Sequence, residues 1–193
     1  MQEHELNQDT DDSVRAGILQ AAGDLFREQG YEGTSLRAIA EKSGVLLGSL
    51  FYRFRTKDAI LAELMTHGME TAIKRLGEAL QNAPPGERLK IAIAEHIRLM
   101  LSNDQAIYVL LYEWKSLPRT RRGQIIPLRD QYEQLWEKIL RDYTWQEGID
   151  IGVLRRLIIG ALNWTPNWMN ETDRSNADEI AKMLILALNF REV

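Results

Sequence analysis

The stretch Ser35-Leu36-Arg37-Ala38-Ile39-Ala40-Glu41-Lys42-Ser43-Gly44-Val45-Leu46-Leu47-Gly48-Ser49-Leu50-Phe51-Tyr52-Arg53-Phe54 carries the reading of this chain. Its first half sets Leu36, Ile39 and Ala40 on one face at helical spacing, with Thr34 or Ser35 available as N-cap. From Val45 to about Phe54 a second short helix follows. Two short helices that cross steeply need a small residue at the crossing, a turn that accepts positive φ, and apolar residues that lock one onto the other. Ala40, Gly44 and the pair Val45 and Leu50 meet those needs in order. The expected arrangement is a helix-turn-helix over 35–54, with the outer face of its second helix offered to a DNA major groove wide enough to admit it.

Before this stretch, Val14, Ile18, Ala22, Leu25 and Phe26 recur at helical spacing after a cap at Asp12 or Ser13, and Gly30 supplies a left-handed stop. Residues 1–11 offer nothing to offset the entropy of being ordered, so a mobile arm is expected there. After the motif, Thr56 caps a fourth helix that starts at Lys57 and runs through Ile60, Leu61 and Leu64. Helices are expected near 57–81, 87–102, 104–116, 119–144, 150–169 and 176–191, separated by segments rich in Pro, Gly, Asn and Asp. Pro127 and Pro166 fall inside two of them and are expected to kink or interrupt them. No segment alternates as a strand between hairpin turns, so almost no sheet is expected. The fold class is all-α: an N-terminal arm over 1–11, a three-helix helix-turn-helix domain over 12–57, and a larger helical ligand-binding and dimerisation domain over 58–193.

Composition narrows the function. The 193 residues are 45% hydrophobic and 27% charged, enough for a core in one or two domains, and the lack of cysteine excludes disulfides and thiolate metal sites. The opening residues have neither the cationic start nor the apolar run of a signal peptide, and no stretch is long and apolar enough to cross a bilayer. A cytoplasmic protein with no membrane partner is expected. Net charge is −4, but it is unevenly spread: residues 1–12 carry five acids and no Lys or Arg, 13–60 carry seven Lys/Arg against five acids, and 61–193 carry seventeen against eighteen. Only the block containing the helix-turn-helix is positive, which suits phosphate contact by a few cations on one surface.

An enzyme is the weaker reading. His4, His67 and His96 stand alone, without an HExxH pair, and neither a phosphate-binding Gly-Lys-Ser/Thr loop nor a Gly-x-Ser-x-Gly elbow occurs. No catalytic residue, metal or cofactor is expected. The remaining alternatives are a helical protein-interaction adaptor that binds no DNA and a small hydrolase.

Within the motif the candidate DNA-binding residues divide by task. Hydroxyls, backbone amides and helix dipoles around Thr34, Ser35, Thr56 and Lys57 suit phosphates and would position the protein. Arg37, Ser49, Tyr52 and Arg53 can reach base edges or flanking phosphates, and Gly48 allows close backbone approach.

Gly30-Tyr31-Glu32-Gly33-Thr34-Ser35-Leu36-Arg37-Ala38-Ile39-Ala40, then Gly44-Val45, then Gly48-Ser49-Leu50-Phe51-Tyr52-Arg53-Phe54 with Lys57, resembles the TetR/AcrR family of repressors, over about residues 14–64. The resemblance implies a three-helix DNA-binding domain, a connecting fourth helix, a helical ligand-binding domain and a dimer built from the last two helices. It also implies repression of a palindromic operator, relieved by a small-molecule inducer. Leu46 and Leu47 depart from the family, which more often has polar residues there; they either contact thymine methyls or face the protein.

Met65, Met69, Ile97, Leu101, Tyr108, Leu111, Tyr112, Trp164 and Trp168 are candidates to line an apolar effector cavity, with Asn163 as a polar group. Tyr112-Glu113-Trp114-Lys115-Ser116-Leu117, Leu128-Arg129-Asp130-Gln131-Tyr132-Glu133 and Gly160-Ala161-Leu162-Asn163-Trp164-Thr165-Pro166-Asn167-Trp168 are similar to regulators of fatty-acid or steroid breakdown, which implies an acyl-coenzyme A inducer. Arg119, Arg121 and Arg122 form a cation cluster suited to its phosphates, Arg121 and Arg122 being the binding candidates. Residues 151–169 and 177–190 are apolar on more than one face, so a homodimer through residues about 150–192 is expected. Its symmetry would set two reading helices about 34–36 Å apart on DNA.

Overall fold

Helix periodicity and capping chemistry account for most of the backbone. The computed structural model describes residues 2–169, 176–188 and 191–192. Among them are ten α-helices: α1 (Gln2–Gly33), α2 (Leu36–Ser43), α3 (Leu47–Arg53), α4 (Lys57–Leu80), α5 (Arg88–Met100), α6 (Gln105–Tyr112), α7 (Arg119–Arg122), α8 (Ile126–Arg141), α9 (Ile151–Asn163) and α10 (Ala177–Leu188). β1 (Tyr143–Thr144) and β2 (Arg191–Glu192) form a two-residue antiparallel ladder, with Tyr143 opposite Glu192. The turn expected at 171–176 and the last turn of the final helix lie partly outside the described residues.

The chain divides into two compact units, residues 1–68 with 104–125, and residues 69–103 with 126–193. This differs from the expected boundary at 57/58. The division falls within α4, and the segment 104–125 belongs with the N-terminal helices. Side-chain contact made it so: α6 packs against α1 closely enough that a Cβ on Gly23 would lie 2.6 Å from the Gln105 Cβ. A Cβ on Gly68 would lie 2.7 Å from the Ala106 carbonyl oxygen, so α4 and α6 also meet at a glycine.

In the first unit, Ile18, Ala22 and Phe26 of α1, Ile39 and Ala40 of α2, Leu50 of α3 and Leu61 of α4 are buried together with Ala106, Ile107 and Val109 of α6. Ser35 is the N-cap of α2, its Oγ accepting from the Ala38 amide at 3.1 Å. Gly44 closes the helix with φ 69°, a left-handed conformation that costs a residue with a Cβ about 1 kcal/mol or more. The first helix does not begin near Ser13. It starts at Gln2, so the stretch expected as an arm is helical. Residues 2–12 contain no Gly or Pro, and Asp11 pairs with Arg53 of α3, an anchor that hydrophobic patterning does not register. The regular helix breaks at Gly30 (φ 74°, ψ 166°) as expected, and one more turn follows to Gly33.

In the second unit, α5 packs against α8, α9 and α10, burying Leu89, Ala92, Ile93 and Ile97. Arg155 of α9 is buried between Glu133 (2.5 Å) and Glu137 (2.6 Å) of α8, so its charge is matched where water is excluded. Pro127 stands in the first turn of α8, where its missing amide costs nothing, and the expected helix 119–144 is split before it into α7 and α8. Pro166 sits in a 3-10 turn over Thr165–Asn167 that follows α9.

Leu50 is fully buried and is the buried residue of α3. Leu50→Ala is expected to lower unfolding stability by about 2–5 kcal/mol, the range for buried Leu truncation, read as a lower denaturant midpoint with unchanged slope.

Candidate nucleic-acid interface

The second helix of the motif is only seven residues long, too short to persist without tertiary contacts. Leu50 and Phe54 hold it inward. At 3.6 residues per turn Gly48 and Tyr52 fall opposite Leu50, Leu47 and Phe51 occupy one flank, and Ser49 and Arg53 the other. Tyr52 is 83% exposed and Leu46 is 82% exposed; Leu47 and Phe51 are partly open. A Cβ on Gly48 would meet nothing within 4 Å, so the protein's own packing gives no reason for a glycine there. Arg37 is on the exposed side of α2, paired with Glu41 at 2.9 Å.

Several candidates are more committed than their types suggested. Thr34 is buried, with its hydroxyl donating to the Gly30 carbonyl at 2.9 Å and its amide to the Tyr31 carbonyl at 3.2 Å, so both of its donors are already used within the fold. Lys57 donates to the carbonyls of Tyr31 (2.6 Å) and Thr34 (2.8 Å) and lies 4.1 Å from the Tyr31 ring. It shapes the turn that presents α2. Arg53 donates to the Ser49 hydroxyl at 2.8 Å and pairs with Asp11, leaving its side chain 14% exposed. Thr56 caps α4 by accepting from the Ala59 amide at 3.2 Å and also faces Arg121 Nη2 at 3.4 Å.

Tyr31, Asp58 and Glu113 form a hub absent from the candidates. The Tyr31 hydroxyl donates to Asp58, and its amide donates to Glu113 Oε1 at 3.1 Å. Burial first, then the bond to Asp58, pushes the Tyr31 phenol well above its ordinary range, so it stays a donor. Glu113 also accepts from the Ser116 hydroxyl at 2.6 Å. Nothing local in the sequence ties Glu113 to a residue 82 positions earlier.

The effector candidates separate by unit. In the first, Met65 is buried, Leu111 is half-buried, and the Tyr108 and Tyr112 rings lie 4.7 Å apart, with Arg27 over Tyr108. Arg121 lines a cleft of about 560 Å³ with Arg15, Arg53, Phe54, Glu63 and Thr66. Arg122 instead donates to the Leu117 carbonyl at 3.0 Å and lies 5.3 Å from the Trp114 ring, so the two arginines do not act as one cluster. In the second unit Met69, Ile97 and Leu101 are buried, while Trp164 and Trp168 are exposed. Asn163 Oδ1 is 3.0 Å from His96 Nε2, and the Tyr132 hydroxyl is 2.8 Å from His96 Nδ1. Facing a carboxamide oxygen, Nε2 carries the proton, and Nδ1 accepts from Tyr132. Burial holds the His96 pKa down at about 4, against a smaller opposing effect of Asn163, so the ring is neutral.

Residues 18–64 match the model of the bacterial regulatory proteins of the tetR family, and residues 82–189, more than half of the chain, match the tetracyclin repressor-like C-terminal domain. The chain belongs to the TetR family. The fatty acid metabolism regulator protein of Bacillus subtilis (strain 168) is 26% identical to this TetR-family chain over 153 residues, 77% of the chain and 79% of that protein. The crystal structure of superantigen PfiT is 31% identical, with a TM-score of 0.73, covering 91% of this chain and 96% of that one. AibR, solved in complex with isovaleryl coenzyme A and operator DNA, shares the fold at a TM-score of 0.78 and 23% identity, covering 88% of this chain and 97% of that one.

His96 supplies a pH dependence of known sign. Between pH 6.5 and about 4 the unfolded chain binds a proton that the folded unit refuses, so this contribution is complete above pH 6.5 and is lost as pH falls toward 4. The urea midpoint is expected to drop from pH 7 to pH 5, and His96→Gln to drop less over the same interval.

Proposed function

We propose that the protein is a ligand-responsive transcriptional repressor that binds near-palindromic operator DNA as a dimer and releases it on taking up a small molecule. The observation that carries this reading is the outer edge of α3: Tyr52 is open to solvent and Gly48 is spared a side chain, while Leu50 is fully buried behind them. A glycine inside a helix costs about 0.5–1 kcal/mol relative to alanine, and the close approach of an outside partner is a gain that would offset that cost here. Tyr52, Ser49 and Arg37 are the proposed contacts to bases and nearby phosphates. Ser35 and Thr56 offer helix starts to the phosphates, and Lys57 acts by positioning the turn.

The dimer is proposed to form through α9 and α10. Val153 and Leu157 of α9 and Met183 and Leu186 of α10 are exposed in the single chain, Leu157 and Leu186 by 67% and 68%. Apolar helix faces of this kind are covered in a functional assembly.

A coenzyme A thioester is the proposed effector class. AibR's complex with isovaleryl coenzyme A and the name of the Bacillus subtilis relative support it. Arg121 is the proposed phosphate contact, since Arg122 is committed to the Leu117 carbonyl. Effector and DNA must oppose each other reciprocally, each weakening the other's binding by the same factor.

Duplexes selected from a random pool by the purified protein provide the test. Wild type is expected to bind a selected duplex with an affinity that falls steeply with salt, and Tyr52→Ala to bind it at least tenfold more weakly at one fixed salt concentration. An acyl-coenzyme A, but not the free acid, should release the DNA. Full affinity in Tyr52→Ala would remove the assigned reading edge.

A further inference from the structure

The reading edge has an apolar side that DNA phosphates cannot use. Leu46, Leu47 and Phe51 are 82%, 39% and 44% exposed, and they stand beside one another at the start of α3 and along one flank of it. Leu46 occupies the N-cap position, with φ −66° and ψ 141°, and makes no side-chain cap bond. Ser, Thr, Asp or Asn there would satisfy a free amide and stabilise the helix by about 1 kcal/mol. The sequence forgoes that gain and keeps a large aliphatic side chain in water, one turn from a buried Leu50 that already serves the core. The opposite flank, Ser49 and Arg53, is polar and internally hydrogen-bonded. The helix therefore carries two chemically different edges either side of Gly48 and Tyr52.

In a major groove only one base-edge group rewards an aliphatic contact, the C5-methyl of thymine; every other feature is a hydrogen-bond donor or acceptor. Resting on the DNA-binding reading above, we propose that Leu46, with the Leu47 and Phe51 flank, recognises thymine methyl groups, so that each half-site carries one or two thymines fixed by apolar contact and not by hydrogen bonding. Leu46 and Leu47 are specificity-determining residues in this assignment. The leucines face outward, as the methyl-contact alternative requires.

The experiment replaces thymidine by deoxyuridine, which deletes the methyl and leaves base pairing intact. The probe is a duplex selected from a random pool by the full-length protein, resynthesised with one deoxyuridine at a time and measured by fluorescence anisotropy at fixed salt. Wild type is expected to lose about fourfold in Kd per contacted methyl, the equivalent of about 0.8 kcal/mol for each buried methyl group, at one or two positions in each half-site. In Leu46→Ala and Leu47→Ala that penalty should vanish at a contacted position, with circular dichroism unchanged because both side chains lie at the surface. Equal wild-type affinity for thymidine and deoxyuridine duplexes at every position overturns the methyl assignment while leaving operator binding standing. Failure of the pool to yield any preferred duplex overturns both.

Discussion

A single ammonium group ties the start of α4 to the turn from which the helix-turn-helix departs. Lys57, the first residue of α4, donates to the carbonyls of Tyr31, in the last turn of α1, and of Thr34, between α1 and α2. Hydrogen bonds from a charged donor contribute about 1.5–3 kcal/mol each, whereas an exposed pair such as Arg37 with Glu41 contributes about 0.3–0.5. The lysine therefore outweighs the surface ion pairs in setting how α2 leaves α1. Tyr31 extends the same tie: its phenol holds Asp58 and its amide holds Glu113, so α1, α4 and the end of α6 converge on one residue.

Everything that α3 presents follows from how it is braced. Seven residues cannot sustain a helix by backbone bonding alone, and α3 has no side-chain cap at its start. Its order comes from Leu50 and Phe54 in the core and from Gly44, which turns the chain after α2. Such a helix is rigid only while its neighbours are, so the Lys57 and Tyr31 contacts bear on how steadily the first unit holds its exposed face.

The helix-turn-helix was legible because its determinants are local: a cap at Ser35, an apolar pair in Ile39 and Ala40, a left-handed Gly44 and an inward Leu50 all lie within one short stretch. The two prolines, expected inside helices 119–144 and 150–169, do interrupt them, Pro127 in the first turn of α8 and Pro166 in a 3-10 turn after α9. What escaped was non-local. The helical start at Gln2 has no hydrophobic pattern to announce it, and the membership of 104–125 in the first unit depends on Gly23 and Gly68 meeting α6. Thr34 and Lys57 suit phosphates by residue type and by their place at helix starts, yet their hydroxyl and ammonium groups have carbonyl partners within the fold. Arg121 and Arg122 are neighbours in sequence, yet a guanidinium reaches far enough for one to enter the cleft and the other to fold back onto Leu117.

The pairing of Asp11 with Arg53 sets a cost on recruiting this arginine to any outside anion. An arginine that neutralises a DNA phosphate releases the cation condensed there, and that release drives association at low salt. Arg53 waits beside a carboxylate tethered to the same polypeptide. A phosphate that drew it away would release its own condensed cation yet leave the Asp11 carboxylate without this partner, so the gain from release would be offset by the broken pair.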